Sequence, residues 1–143
     1  MNSYLMIAGT LSALASIIHI GCIFFGASWY RFFGAGEQMA MLAEQGSLKP
    51  TIITSGIVIV LAIWSLYAFS AAGLILKLPL MRIALITITS VYLLRGIVGF
   101  VFAANPVGHH LGNSSQFWFW SSAICLFLGT VHLIGIKQQW AAL

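Results

Sequence analysis

Four long apolar stretches limit what this chain can fold into. They lie at roughly 3 to 27, 50 to 76, 80 to 104 and 116 to 136, and each is long enough to cross about 30 Å of hydrocarbon as a helix rising about 1.5 Å per residue. They account for nearly all of the 143 residues, and no soluble domain or charged tail remains between them. The sequence therefore predicts one integral membrane domain over residues 1–143, an all-α bundle of four transmembrane helices.

The composition agrees with a membrane protein and excludes several functional classes. Only 6% of the residues are charged and 61% are hydrophobic, whereas a soluble domain carries about a quarter charged residues. The chain has no HExxH, GxSxG or phosphate-binding glycine loop, so zinc proteases, serine hydrolases and nucleotide hydrolases are unsupported. Six cations against two acids form no basic patch, so we expect the lipid bilayer and not a nucleic acid as partner.

Cations in the short loops predict the orientation. Lys77, Arg82 and Lys137 share one side with the N-terminus, and Arg31 and Lys49 lie on the other side. Cations near the ends of membrane helices favour the cytoplasmic side. We therefore expect a multi-pass protein of a bacterial inner membrane with both termini in the cytoplasm. The first span lacks a positively charged start, so we expect it to be retained and not cleaved as a signal.

The first external loop predicts a short amphipathic helix at 35–45, ended by Gly46. At about 100° per residue, two groups of side chains fall on opposite faces. The mainly polar face holds Glu37, Gln38, Met41, Glu44 and Gln45, and the apolar face holds Met39, Leu42 and Ala43. Glu37 and Glu44 lie about 10 Å apart along the axis. They form either a solvated surface or a gate that supplies counter-charge to a cation inside the bilayer.

That cation is Arg95, which lies in the apolar run VYLLRGIVGF. A guanidinium at bilayer depth costs a few kcal/mol unless it finds a partner or water, so an intramembrane arginine is a candidate site by default. The only acidic side chains of the chain, Glu37 and Glu44, lie outside the predicted spans. Alternatively, Arg95 bonds helix carbonyls or extends to the interface and only locks the helices together.

Polar residues on three helices are predicted to share a layer with Arg95. Helical spacing aligns Tyr92 with Arg95 on the third helix. His19 on the first helix and Arg95 both lie about 12 to 14 Å below the external interface, and Cys125 on the fourth lies at about 15 Å. His132 is expected near the opposite end, in a different environment. A permanent cation beside a histidine and a hydroxyl suits an anionic head group whose apolar tail lies between helices.

Metal and haem sites receive weaker support. His109 and His110 are adjacent in the second external loop, at 105 to 115, and are weak candidates for a zinc or copper site. A solvated loop is the favoured interpretation of the pair. A haem held by two helices needs histidines at matched depth, and His19 and His132 are expected near opposite faces. The sequence identifies no cofactor.

The pattern favours a protein that binds or transports a small anionic or amphiphilic molecule in an outward-opening site. Arg95 is the expected anchor, His19 and Tyr92 its hydrogen-bond partners, and Glu37 and Glu44 the gate. Two alternatives stay open. A membrane enzyme would use His19 as a base or metal ligand, and an accessory subunit, either of a homo-oligomer or of a larger complex, would pair Arg95 with a carboxylate of its partner.

Overall fold

The chain folds into helices throughout the part described by a computed structural model, residues 1–105 and 112–143. No strand occurs in these residues. The six helices in this part are α1 (Ser3–Phe25), α2 (Ala27–Phe32), α3 (Glu37–Glu44), α4 (Lys49–Ala72), α5 (Met81–Ala104) and α6 (Ser115–Gln139). Four of them, α1, α4, α5 and α6, are long and apolar enough to cross a membrane. The architecture is all-helical and suits a multi-pass membrane protein.

Glycines set the ends of two long helices. Gly26 ends α1 with a φ of 65°, slightly before the predicted end at 27. Gly73 adopts the left-handed conformation with a φ of 84°, and its N–H bonds back to the last turn of α4. The second span therefore ends at Ala72 and not at the predicted 76, because the chain turns away at Gly73. The fourth span runs beyond its predicted end at 136, to Gln139.

The four long helices form two antiparallel pairs. α1 packs along α4 and α5 along α6, while smaller contacts of α1 with α6 and of α4 with α5 join the pairs. At one end, the Asn2 side chain donates to Gln138 over 2.9 Å and the Asn2 backbone N–H donates to the Ala72 carbonyl over 3.3 Å. We call the end formed by Asn2, Ala72 and Gln138 the terminal face, and the opposite end, which carries α2 and α3, the distal face.

Small residues let α5 and α6 approach closely. A Cβ added to Gly96 would lie 2.5 Å from Leu126, and one added to Gly129 would lie 2.7 Å from Leu93. Further along, Gly99 lies directly against Ser122. Glycine at such positions is a common means of tight packing between membrane helices. These contacts fix the register of α5 against α6, which decides what Arg95 meets.

α2 and α3 cover the distal end of the bundle. Gly34 packs against Phe117 at the start of α6, and Gly36 packs against Gly112 and Asn113. The buried side of α3 is centred on Ala40, in a cluster with Cys22 and Tyr30. The exposed side holds the five residues predicted for the mainly polar face, namely Glu37, Gln38, Met41, Glu44 and Gln45. α2 and α3 thus lie on the distal side of the region in which the sequence predicts the site.

Candidate functional site

Arg95 is held by α6 through neutral groups. Its Nη2 donates to Ser121 Oγ over 3.0 Å, and its Nη1 lies 3.4 Å from Ser122 Oγ. The guanidinium also lies over the indole of Trp118, 4.6 Å from the ring centroid, in the geometry of a cation–π interaction. The side chain is half-buried. Arg95 therefore joins α5 to α6 without a charged partner.

The guanidinium lies nearer the distal face than its own backbone. Gly96, the next residue, packs beside Leu126, whereas Ser122 packs beside Gly99. Because Arg95 reaches Ser122, its head group lies about one turn, or about 6 Å, beyond its Cα. Long cationic side chains often lie along apolar surface in this way and place the charge toward the interface. The structure thus gives Arg95 the extended conformation that the sequence left as one alternative.

The expected pairing of Arg95 with the external acids does not form. Arg31, at the end of α2, lies 2.6 Å from a carboxylate oxygen of Glu37 and 2.6 Å from one of Glu44. These hydrogen bonds hold the pKa of both carboxyl groups below its ordinary value. Both acids stay on the exposed side of α3, where an ion pair needs no desolvation. Glu37 and Glu44, for which the sequence leaves open a solvated surface or a gate, therefore pair with Arg31 and not with Arg95.

Tyr92 turns to the centre of the bundle and away from Arg95. Its hydroxyl lies 3.0 Å from Ser12 Oγ, and both side chains are buried. The edge of Trp64 meets its ring at a centroid distance of 4.9 Å, and the His132 ring lies at 5.4 Å. All four long helices contribute to this group. The expectation that His132 belongs to a separate environment is wrong, because the tight register of α6 against α5 brings it beside Tyr92.

His132 is the most enclosed polar side chain of this centre. It is 0% exposed. Its Nδ1 bonds the Leu128 carbonyl of its own helix over 2.9 Å. Its Nε2 has no hydrogen-bond partner in the described part of the chain. Thr89 Oγ1, on α5, is likewise buried without a partner there. The core thus holds two polar atoms that the surrounding protein leaves unsatisfied.

His19 and Cys125 are the other two residues that the sequence places in the layer of Arg95. His19 is half-buried, and its Nδ1 lies 2.7 Å from the Ala15 carbonyl. α1 and α5 run in the same direction with Ser12 opposite Tyr92, so His19 is level with Gly99 and hence with the Arg95 guanidinium. Within residues 1–105 and 112–143, no hydrogen bond or ring contact joins His19 to Arg95. Cys125 is a half-buried free thiol against the core that contains Tyr92.

The predicted layer therefore divides in two. Arg95 with its α6 partners lies toward the distal face, and Tyr92 with His132 forms a buried centre below it. Ser121 was not identified from the sequence as a partner of Arg95. The weak metal candidates His109 and His110 lie outside the described residues. Within those residues, no group of three His, Cys, Asp or Glu side chains is placed to hold a metal ion.

Comparison with known proteins adds no family. No family model matches the chain, and neither the curated proteins nor the solved structures include a significant match. The function of this protein is therefore inferred from the residues described above.

Proposed function

We propose that the protein binds a small amphiphilic anion near its distal face, with Arg95 as the anchor. One observation carries the proposal. Arg95 lies within a spanning helix and, among residues 1–105 and 112–143, bonds only neutral groups, while Arg31 binds both acidic side chains of the chain. A guanidinium within the hydrocarbon and without a counter-charge is costly, by about 2.5 kcal/mol or more at the centre of a spanning helix and by less toward its end. An anion bonded to the guanidinium offsets that cost.

The free donors of Arg95 suit a carboxylate or a phosphate. A guanidinium has five N–H groups in a fixed planar fork, and the two serine hydroxyls engage only its terminal nitrogens. Trp118 covers one face of the guanidinium, so an anion approaches along its edge. Two parallel charge-assisted hydrogen bonds along that edge are the strongest arrangement that arginine makes with an oxyanion. The hydroxyls of Ser121 and Ser122 orient the fork for it.

The surroundings favour an amphiphile over a hydrated ion. Leu94 and Val98, next to Arg95 on α5, are 61% and 45% exposed, and Ile124 on α6 is 58% exposed. These side chains face the lipid and offer an apolar path for a tail. Below Arg95 the core is filled by the centre around Tyr92. For these reasons we favour binding over passage through the bundle.

Binding of dodecyl phosphate to the purified protein tests this function. Wild type is expected to bind dodecyl phosphate at least tenfold more tightly than uncharged dodecanol, because a hydrogen bond to a charged group contributes about 1.5–3 kcal/mol. Arg95→Gln removes the preference, and Arg95→Lys retains part of it because the charge remains. Lys49→Gln, which removes an exposed cation elsewhere, is the matched control. Isothermal titration calorimetry gives the affinities.

A structural role for Arg95 gives a different result. If Arg95→Gln lowers the melting temperature and leaves the affinity for dodecyl phosphate unchanged, Arg95 locks α5 to α6 and the proposed function is wrong. Equal loss of affinity in Lys49→Gln also contradicts it, since that result shows a general effect of surface charge.

A further inference from the structure

The terminal face carries a second group of cations that the Arg95 site does not use. Lys77 lies in the connection before α5, Arg82 lies in the first turn of α5, and Lys137 lies in the last turn of α6. Both acidic side chains of the chain lie on the opposite face, in α3, where Arg31 binds them. The terminal face is therefore strongly positive.

The cations of this face have neutral partners. Lys77 Nζ donates to the Ala142 carbonyl over 2.9 Å. Arg82 Nη2 lies 3.4 Å from the Trp140 carbonyl, and the guanidinium lies 5.2 Å from the Trp140 ring centroid. An ammonium has three donors and a guanidinium five, so most of their N–H groups stay available. No ion pair forms with either cation in the described part of the chain.

Lys77 and Arg82 line an open cleft of about 520 Å³. The segment from Lys77 to Ile83 forms most of its wall, and Leu143 closes one side. The cleft thus places two cationic head groups beside apolar side chains at the end of the bundle. That combination fits a charged group at the membrane surface that continues into an apolar chain.

A second groove, of about 500 Å³, continues between α5 and α6. Its wall includes Ile86, Leu93, Leu133 and Trp140, with Lys137 at the rim. From Ile86 to Leu93 it runs about 10 Å along the helix, or about two thirds of one leaflet. Arg82, which lines the cleft, lies over the ring of Trp140, which lines the groove, so the two spaces adjoin at this contact. Thr89, whose buried hydroxyl lacks a partner in residues 1–105 and 112–143, also lines the groove.

We propose that this face binds an anionic phospholipid, with its phosphate between Lys77 and Arg82 and one acyl chain in the groove between α5 and α6. Charge complementarity selects the lipid class, since basic pockets between spanning helices bind acidic head groups. The apolar groove selects a lipid over free phosphate.

Native mass spectrometry of the whole protein in neutral detergent tests the site. The probes are phosphatidylglycerol and phosphatidylcholine with identical acyl chains, added in equal amounts. Wild type is expected to retain phosphatidylglycerol preferentially. Lys77→Gln and Arg82→Gln each reduce this preference about fivefold, the equivalent of about 1 kcal/mol per cation. Lys49→Gln is the matched control and leaves the preference unchanged.

Further variants separate lipid binding from folding. Arg82→Lys keeps the charge and is expected to retain the preference even where Arg82→Gln lowers the melting temperature. Ser90→Phe, on the groove wall, fills the acyl-chain space and weakens retention of both lipids. Equal retention of the two lipids by wild type, or unchanged preference in the double variant Lys77→Gln/Arg82→Gln, overturns the proposal. The loss of preference caused by Lys77→Gln/Arg82→Gln is expected to be the same in the Arg95→Gln background, so this site and the Arg95 site fail independently.

Discussion

At the residue scale, Arg95 shows what a sequence predicts and what it omits. The energetic cost of the charge and the alignment of Arg95 with Tyr92 on the third helix follow from the sequence alone. Its partners do not, because a long side chain reaches a full turn along its helix and the register of α6 decides what it meets. Ser121 and Ser122 are ordinary small residues of a membrane helix until Gly96 and Gly129 bring α5 and α6 together.

Gly99→Ala tests this register. The added Cβ would collide with Ser122 Oγ and Arg95 Nη1. Because overpacking a tight contact costs about 1–3 kcal/mol, we expect a lower melting temperature and, since the guanidinium is displaced, weaker binding of dodecyl phosphate. Thermal unfolding and calorimetry measure the two effects.

Gly56→Ala is the matched control for that substitution. Gly56 lies within α4, and a Cβ there would meet nothing within 4 Å. We expect an unchanged or slightly higher melting temperature and unchanged binding. Wild-type behaviour of Gly99→Ala in both measurements would show that α5 and α6 are not in close contact at this point.

At the element scale, the external helix was predictable and its ion pairs were not. The range 35–45 contains α3, and the predicted faces are the exposed and buried sides of Glu37–Glu44. The pairing with Arg31 depends on the turn between α2 and α3, where Gly34 and Gly36 have φ values of 75° and 100°. The apolar pattern carries no information about such a turn. The sequence therefore leaves open a solvated surface or a counter-charge to Arg95 for Glu37 and Glu44, and does not predict Arg31 as their partner.

The ion pairs of Arg31 predict how the α2–α3 segment responds to pH. The guanidinium lowers the pKa of Glu37 and Glu44 from the ordinary value of 4.5. A group whose folded-state pKa is lowered contributes stability above its ordinary pKa and loses it as the pH falls through the lowered value. We expect the backbone amides of α3 to stay protected from hydrogen exchange between neutral pH and about pH 4.5, and this protection to decrease at lower pH. Hydrogen exchange read by mass spectrometry measures the change.

Two variants test whether the ion pairs of Arg31 cause this pH response. Arg31→Gln is expected to abolish it, because both carboxyl groups lose their partner, whereas Lys49→Gln retains it. An identical decrease in wild type and Arg31→Gln would mean that the ion pairs do not hold α3 in place. All three groups are exposed, so the response is also expected to weaken in high salt.

At the scale of the whole molecule, the number of spans was predictable and their arrangement was not. Apolar length alone gives four helices, but periodicity does not say which helices are neighbours. The layer of His19, Tyr92 and Arg95 assumed that polar stripes of α1 and α5 converge. In the bundle α1 packs along α4 and α5 along α6. Across the centre, Tyr92 of α5 reaches Ser12 of α1. Arg95 instead turns to α6, the neighbour of its own helix.

The antiparallel arrangement places both termini at the terminal face of the bundle, and the cations predict which side of a membrane this face occupies. Lys77, Arg82 and Lys137 lie on the terminal face, against Arg31 and Lys49 at the distal end. The positive-inside rule counts cations and gives acids little weight, so the terminal face is expected in the cytoplasm. The proposed phospholipid site then faces the inner leaflet, and the Arg95 site faces outward.

Labelling of intact cells with a membrane-impermeant maleimide tests this orientation. In a protein with Cys22→Ser and Cys125→Ser, single cysteines are introduced as Gln45→Cys at the end of α3 or Ala141→Cys at the C-terminal end, both at exposed positions. We expect labelling at position 45 in intact cells and at position 141 only after lysis. The reverse pattern would place the terminal face outside. The Arg95 anchor would then draw its ligand from the cytoplasmic side, since the bundle fixes the two sites at opposite faces.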